Sequence, residues 1–336
     1  MGLALKTPIL TPNGFKTLKD IKLKDKIYNE NSQLINILEK KILGKIFAYK
    51  VTFNDGTDIK VTNNHCWKYK LNRHSDIWLF GTTDELMDIY NHRSGDTRII
   101  VPINKPIPFN NYDKPLYIQP YILGALLGGI YQQGDDADTL SFRHMDPEAK
   151  EILTLMLRSI SKIYISNTEK VVNFKFINFF EEDVSEQYYK SIRHSILGNH
   201  RIPKEYMYNS IDIRLEILRG LVAINGAITK HDHIQCPFYH KKACQTVRDL
   251  CGSLGYRVEL SKKDIRWSAI IHTRDPQIFT LQKHVKKNQR MQYYRTKIRD
   301  YYLRIIKIEP LIRPIEMGEL IVNNNDKIVC KDYLVM

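Results

Sequence analysis

The chain has 336 residues, a formal net charge of +14 and 43% hydrophobic residues, so it is long enough to form more than one domain with a buried core. Its five cysteines include no CxxC pair, which argues against a disulfide-stapled scaffold. The sequence lacks an apolar run long enough for a membrane span and lacks signal-peptide features at its start, so we expect an intracellular protein of the cytoplasm or nucleus, without a membrane partner. The basic excess indicates a polyanionic partner, most simply a phosphate backbone.

The first hundred residues have the pattern of short antiparallel strands. Two candidate hairpins, 8–18 and 49–62, turn on Asn-Gly at 13–14 and on Asp-Gly at 55–56. These turns between alternating segments predict an all-β module. Residues 104–117 are rich in proline and asparagine, which is typical of a linker at a domain boundary.

The middle of the chain alternates helical and strand-like segments around two related glycine-containing stretches. The apolar stretch 122–130 has a weaker counterpart at 218–226, and the two align when Gly124 is laid on Gly220. Each predicts a short buried helix in which glycine lets another backbone approach closely. The pair therefore predicts a pseudo-symmetric helical core, after which the last forty residues return to β character.

Five blocks, in the expected order, carry a resemblance to known families. Residues 3–14 and the TxxH block at 61–65 resemble inteins, and 323–335 resembles the strand that leads to the intein C-terminus. The two glycine stretches resemble the paired helices of a LAGLIDADG homing endonuclease, and 201–206 resembles the IPxxY segment of its intein-borne members. The resemblance implies an all-β Hint-type (horseshoe) splicing domain, interrupted by a pseudo-two-fold α+β LAGLIDADG endonuclease domain.

The resemblance also implies domain boundaries and partners. The two parts of the splicing domain are expected at 1–103 and 296–336, the linker at 104–117, and the endonuclease subdomains at 118–200 and 201–295. A monomer is expected, with a long asymmetric double-stranded DNA site as one partner and host-protein exteins in the parent precursor as the others.

For splicing, the resemblance places the nucleophile at Gly2, with Thr62 and His65 polarising the adjacent peptide bond. Glycine has no side chain to attack a carbonyl, so the first acyl shift is not expected. Members of the family end on His-Asn, whereas this sequence ends at Met336, and Lys327 stands where many inteins carry a histidine. Asparagine cyclisation is therefore not expected in this form either.

For cleavage, the resemblance places one acidic residue at the end of each motif helix. These positions hold Gly129 and Asn225. The family uses Mg²⁺, which needs hard anionic oxygen ligands, so neither position is expected to bind the metal strongly and no cofactor is expected in this form. Lys263 corresponds to a lysine that assists catalysis in relatives. Cleavage is expected to fall by several orders of magnitude, because losing one electrostatic group costs ~10²–10³ in rate.

DNA recognition is the activity that remains on this interpretation. Basic and aromatic residues alternate in the predicted strands of both halves, as suits a ribbon that reads a major groove. The predicted DNA contacts are Arg143, Lys175, Lys262, Arg266, Lys286 and Lys287.

We favour an intein with an endonuclease insert that is inactive in both reactions and retains DNA binding. Two alternatives stay open, so whether the chain is an enzyme is open as well. One is an active homing endonuclease with displaced acids, drawn from Asp135, Asp136, Asp138 and Asp232. The other is a free-standing DNA-binding regulator derived from the same fold.

Overall fold

The computed structural model describes residues 2–72, 75, 77–92, 98–109, 116, 118–129, 139–143, 145–159, 162–168, 171–177, 199–230, 233–273, 275–294, 303–322 and 326–336. For residues 140, 143, 162, 175–177 and 290–294, it describes only the backbone. The chain divides into two compact units by its internal contacts. The β unit contains Met1–Asn111, Gly252–Glu259 and Asp300–Met336, and the α/β unit contains Tyr112–Cys251 and Leu260–Arg299.

The secondary-structure elements follow in chain order. The first part contains Gly2–Ala4 (β1), Pro8–Thr11 (β2), Gly14–Thr17 (β3), Lys26–Tyr28 (β4), Leu34–Ile46 (β5), Tyr49–Phe53 (β6), Asp58–Val61 (β7), Cys66–Tyr69 (β8), Leu79–Thr82 (β9), Thr83–His92 (α1) and Ile100–Val101 (β10). The middle contains Pro120–Gly129 (α2), Thr139–Arg143 (β11), Pro147–Arg158 (α3), Lys162–Asn167 (β12), Val171–Ile177 (β13), Lys204–Met207 (α4), Ile211–Asn225 (α5), Ala227–Ile228 (β14), Ile234–Phe238 (β15), Lys241–Ser253 (α6), Arg257–Lys263 (β16), Arg266–His272 (β17) and Gln282–Tyr294 (α7). The last part contains Leu303–Pro310 (β18) and Ile315–Val322 (β19).

The β unit is built on an eight-stranded sheet in the order β10-β18-β6-β7-β1-β19-β5-β4. Strands from both ends of the sequence alternate in it, since β1 pairs antiparallel with β7 on one side and with β19 on the other. Burial of alternate apolar side chains, such as Leu3, Val51 and Phe53, forms its core. The predicted all-β module is thus an antiparallel sheet that needs both chain segments.

Both predicted hairpins are confirmed. Strand β2 pairs with β3, and β6 pairs with β7. Gly14 has φ 98° and Gly56 has φ 78°, a left-handed conformation that glycine adopts without steric cost. The first part of the predicted linker is not an exposed connection, because Ile107 and Phe109 are fully buried. These two residues pack as part of the β unit rather than crossing solvent, and the predicted domain boundaries otherwise stay predictions.

The α/β unit repeats one topology twice. Its first sheet has the order β11-β13-β12, and its second has the order β14-β15-β17-β16. With α2 matched to α5, strands β11, β12 and β13 correspond to β15, β16 and β17, and α3 corresponds to α6. At the start of helix α3, the Asp146 side chain accepts a hydrogen bond from the Glu148 amide, and proline stands in the first turn. Among the described residues, no helix is both long and apolar enough to cross a membrane.

Candidate functional site

Gly2 lies buried in β1 beside Thr62. The Thr62 amide donates to the Gly2 carbonyl at 3.2 Å. A Cβ atom built on Gly2 would lie 2.2 Å from Thr62 Oγ1 and 2.5 Å from Thr62 Cγ2. Residue 2 therefore lacks a side chain and also lacks the space for one unless Thr62 moves.

A chain of hydrogen bonds holds Thr62 in place. Its hydroxyl donates to Asn64 Oδ1 at 2.6 Å. Its carbonyl accepts from the Thr83 hydroxyl at 2.8 Å, and that hydroxyl accepts from the Trp67 indole at 3.0 Å. Thr83 and Trp67 are almost fully buried, so this arrangement is protected from water. Thr83 carries no sequence signal that identifies it, because its partner Thr62 lies 21 residues earlier.

His65 is fully buried next to Trp67, with 5.1 Å between the ring centroids. Neither of its ring nitrogens has a hydrogen-bond partner within the part of the chain that the structure describes. Burial lowers its pKa well below the ordinary value, and the nearby Lys327 charge lowers it further, while the Gly2 backbone weakly favours the charged form. The imidazole is therefore neutral, and the burial that keeps it neutral also opposes its protonation.

Lys327 is a buried charged residue of this region and is only 3% exposed. Its ammonium donates to the Cys66 carbonyl at 2.5 Å and lies 5.7 Å from the centre of the Phe80 ring. Burial lowers the pKa of Lys327, while its contacts with Cys66 and the Glu30 charge oppose that shift. Lys327 thus tethers the backbone directly after His65.

A pH titration is expected to report the buried neutral His65. Because its folded pKa lies below the unfolded value of about 6.5, the unfolded chain takes up a proton that the folded chain does not as the pH falls below ~6.5. The free energy of unfolding should therefore fall on acidification, with a slope of up to ~1.4 kcal/mol per pH unit from this residue. Urea unfolding between pH 7.5 and 5 checks this, with His65→Gln losing part of the slope.

The matched control for that titration is His92→Gln, because His92 is exposed at the end of α1. This variant should keep the full slope. A His65 imidazole whose NMR signals titrate near pH 6.5 in the folded chain would contradict the expectation.

Helices α2 and α5 meet through reciprocal glycine contacts. A Cβ on Gly124 would lie 1.8 Å from the Ile217 carbonyl oxygen, and a Cβ on Gly220 would lie 1.9 Å from the Tyr121 carbonyl oxygen. Ile217 precedes Gly220 by three residues, as Tyr121 precedes Gly124, so the contact is two-fold symmetric. This symmetry makes Gly129 the structural counterpart of Asn225, as the aligned motifs predict.

Neither counterpart position offers a metal ligand that fits Mg²⁺. Gly129 has no side chain, and a Cβ there would lie 2.4 Å from Ile224 Cγ2. The Asn225 amide donates to the Pro237 carbonyl at 2.8 Å, and its oxygen carries no formal charge. The described residues contain no group of three His, Cys, Asp or Glu side chains that could hold a metal ion. The residues at the motif positions therefore do not fit Mg²⁺, the ion that the sequence resemblance implies.

Of the other predicted nuclease residues, the structure describes only the lysine. Lys263 ends β16 and is exposed. Asp135, Asp136, Asp138 and Asp232 lie outside the described residues, so their predicted role as displaced acids stays untested.

The predicted DNA contacts all belong to the α/β unit and lie on β11, β13, β16, β17 and α7. Arg143 ends β11, and Lys175 lies in β13 opposite Thr139. For both residues the structure describes only the backbone. The Arg266 guanidinium lies 5.5 Å from the Tyr239 ring centroid, and the Lys262 ammonium lies 5.8 Å from that of Trp267. On α7, Lys286 and Lys287 are exposed, and Lys287 donates to the Ile228 carbonyl at 2.5 Å.

Three residues on or next to the second sheet make contacts that the sequence interpretation did not single out. The Gln235 amide donates to the Ser268 hydroxyl at 3.0 Å across β15 and β17. The Lys241 ammonium lies 5.1 Å from the Trp267 ring centroid. Gln235 and Ser268 are 33 residues apart, so only the strand pairing relates them.

The fold and the motifs together indicate which known proteins this chain is similar to. The chain is similar to inteins and to homing endonucleases of the LAGLIDADG kind, and the comparisons with known proteins confirm that predicted resemblance. The chain is 25% identical over 284 residues to the replicative DNA helicase DnaB of Mycobacterium intracellulare, covering 79% of this chain and 44% of the helicase. The chain therefore spans less than half the length of that curated relative. No protein-family model matches the chain.

Two kinds of solved structure are similar to the chain. The MchDnaB-1 intein variant N145AA is 27% identical, with a TM-score of 0.23, over 30% of this chain and 70% of the intein. I-DmoI in complex with DNA and calcium is 14% identical, with a TM-score of 0.35, over 52% of this chain and 97% of I-DmoI. A mesophilic variant of the homing endonuclease I-DmoI is 16% identical, with a TM-score of 0.33, over 51% of this chain and 93% of the variant.

Proposed function

We propose that the chain is an intein whose splicing domain is interrupted by a LAGLIDADG endonuclease domain, and that in this form it binds DNA without splicing or cutting. The observation that carries this proposal is the contrast within one helix pair. The packing glycines Gly124 and Gly220 keep their backbone contacts, while the paired positions Gly129 and Asn225 hold no carboxylate. The helix pair keeps its packing although the metal ligands are missing, and this combination favours DNA binding over DNA hydrolysis.

DNA binding is supported by the two-sided character of the sheets. In the first sheet Phe142 and Phe174 are fully buried, while Tyr164 and Ser166 are exposed on a strand of the same sheet. In the second sheet Cys236, Ala269 and Ile271 are fully buried, whereas Arg266 is exposed. Each sheet therefore offers amide, hydroxyl or cationic groups, the kinds of side chain that contact base edges and phosphates.

The DNA-binding experiment starts from a randomised pool of duplex DNA, from which the full chain selects its site. The dissociation constant is then measured against salt concentration. We expect a steep salt dependence, and we expect Lys286→Gln to reduce the slope of log K against log salt by about 1, because one phosphate contact is lost. Arg266→Gln should weaken the selected site by about 1–3 kcal/mol if it contacts a base.

Lys24→Gln is the charge-matched control, because Lys24 is an exposed lysine of the β unit outside the predicted DNA contacts. It should leave both the slope and the selected-site affinity unchanged. A pool that yields no enriched sequence, or variants that behave like the control, would count against the proposal.

The absence of splicing is tested with the chain placed between two reporter segments, with His-Asn added at the downstream junction. We expect no ligated product. We expect Gly2→Cys to give little product as well and to lower the melting temperature of the β unit, since its Cβ would meet Thr62 Oγ1 at 2.2 Å. The control is Gly2→Cys with Thr62→Ala, which should regain part of the lost melting temperature. Efficient ligation by the chain with Gly2 in place would contradict the proposal.

A further inference from the structure

A short segment from the middle of the sequence belongs to the β unit. Residues 252–259 have their contacts with that unit, although the residues before and after them belong to the α/β unit. The Asn104 amide donates to the Gly252 carbonyl at 2.9 Å, and the Ile107 amide donates to the Ser253 carbonyl at 2.9 Å. Gly255, with φ 79°, is close enough that a Cβ there would lie 3.0 Å from the Asn104 carbonyl oxygen. The β unit therefore contains a third chain segment that β-strand patterning does not reveal.

The last described segment of the chain forms a tight reversal with a strained turn. The Ile328 and Met336 backbones exchange hydrogen bonds of 2.7 and 2.9 Å, and the Cys330 amide donates to the Leu334 carbonyl at 2.8 Å. At the turn, Asp332 has φ 54° and Tyr333 has φ 56°, which are left-handed conformations at two successive residues other than glycine. This conformation is sterically unfavourable for residues other than glycine, so the turn needs support from its surroundings.

Arg257 contacts this turn directly. It is 3% exposed, and its guanidinium donates to the Asp332 carbonyl at 2.7 Å and to the Tyr333 carbonyl at 3.0 Å. A cationic donor strengthens both bonds, and the planar guanidinium suits two neighbouring acceptors. Gly252 adds a steric fit, because a Cβ there would lie 2.5 Å from Tyr333 Cδ2.

We propose that Arg257 is a positioning residue for segment 328–336, and that the splicing domain of this chain takes the support of its C-terminal segment from residues within the insert. The part of this inference that concerns splicing rests on the proposed function, since the resemblance places the downstream splice junction after this segment. The contacts themselves do not depend on that function. One consequence is that removing the insert as a block, residues 118–295, removes Arg257 and leaves the strained turn without its two donors.

The test is hydrogen exchange by mass spectrometry on the full chain and three variants. Arg257→Met keeps the aliphatic stem but loses both hydrogen bonds, and Arg257→Lys keeps the charge and can donate to one carbonyl at a time. Arg158→Met is the matched control, because Arg158 is exposed at the end of α3. Arg257→Met removes two charge-assisted hydrogen bonds, so it should raise exchange in 328–336 by at least ~10-fold. Arg257→Lys should raise it less, and the control should not raise it.

Two outcomes would overturn the proposal. If Arg257→Met leaves exchange in 328–336 unchanged, the hydrogen bonds do not position the segment. If exchange rises equally in β5 and β19, Arg257 acts on the stability of the unit as a whole. The hydrogen-exchange measurement involves no splicing reaction, so its result does not depend on whether the splice junction is active. A negative result would refute the role of Arg257 and would leave the proposed DNA binding unaffected.

Discussion

Gly124→Ala is expected to unfold most of the α/β unit or to destabilise it by at least ~3 kcal/mol. The added Cβ would lie 1.8 Å from the Ile217 carbonyl oxygen and 2.9 Å from the Leu221 backbone nitrogen. These are backbone atoms of a packed helix, so relief requires the two helices to separate. Overpacking typically costs about 1–3 kcal/mol and more when the backbone must move, whereas alanine gains only about 1 kcal/mol over glycine in helix propensity. The steric cost therefore dominates.

Gly128→Ala is the control on the same helix. Its Cβ would lie 3.0 Å from the Leu221 carbonyl oxygen, which small adjustments can relieve, so the helix-propensity gain should leave stability nearly unchanged. Circular dichroism at 222 nm during urea unfolding follows these variants, because most described helices lie in the α/β unit. By symmetry, Gly220→Ala should behave like Gly124→Ala. Equal effects at Gly124 and Gly128 would contradict the close approach of the helices.

The second large effect concerns DNA cleavage. The unmodified chain is expected to nick supercoiled DNA that carries its selected site no faster than background, with either Mg²⁺ or Mn²⁺. Each missing electrostatic group costs ~10²–10³ in rate, so two missing carboxylates remove several orders of magnitude. Rapid site-specific cutting would instead favour the alternative in which displaced acids act.

Restoring the carboxylates is expected to need a third change. Asn225→Asp replaces an amide that donates to the Pro237 carbonyl, and the new carboxylate would turn away from that oxygen. Gly129→Asp would bring its Cβ to 2.4 Å from Ile224 Cγ2. We therefore expect Gly129→Asp with Asn225→Asp to bind Mn²⁺ poorly by electron paramagnetic resonance, and the addition of Ile224→Ala to improve binding. Equal binding by the double and triple variants would show that Ile224 does not block the site.

Much of the fold follows from local sequence patterns. The turns at Gly14 and Gly56 are predicted because Asn-Gly and Asp-Gly pairs favour a left-handed backbone at the glycine, and both glycines adopt it. The equivalence of Gly124 and Gly220 was predicted from two short stretches and agrees with reciprocal backbone contacts. The buried start of the predicted linker was missed, because composition does not report which surface covers Ile107 and Phe109.

The sequence by itself determined which chemical groups this protein has and lacks. No folding can give Gly129 or Asn225 a carboxylate or Gly2 a nucleophile, since these follow from residue identity. Only the tertiary structure decided the environment of those positions: Thr62 fills the space beside Gly2, the Asn225 amide is bound to Pro237, and Arg257 holds a turn 75 residues away. These features depend on distances between atoms far apart in sequence, and the packing of the chain fixes such distances whereas local residue patterns do not.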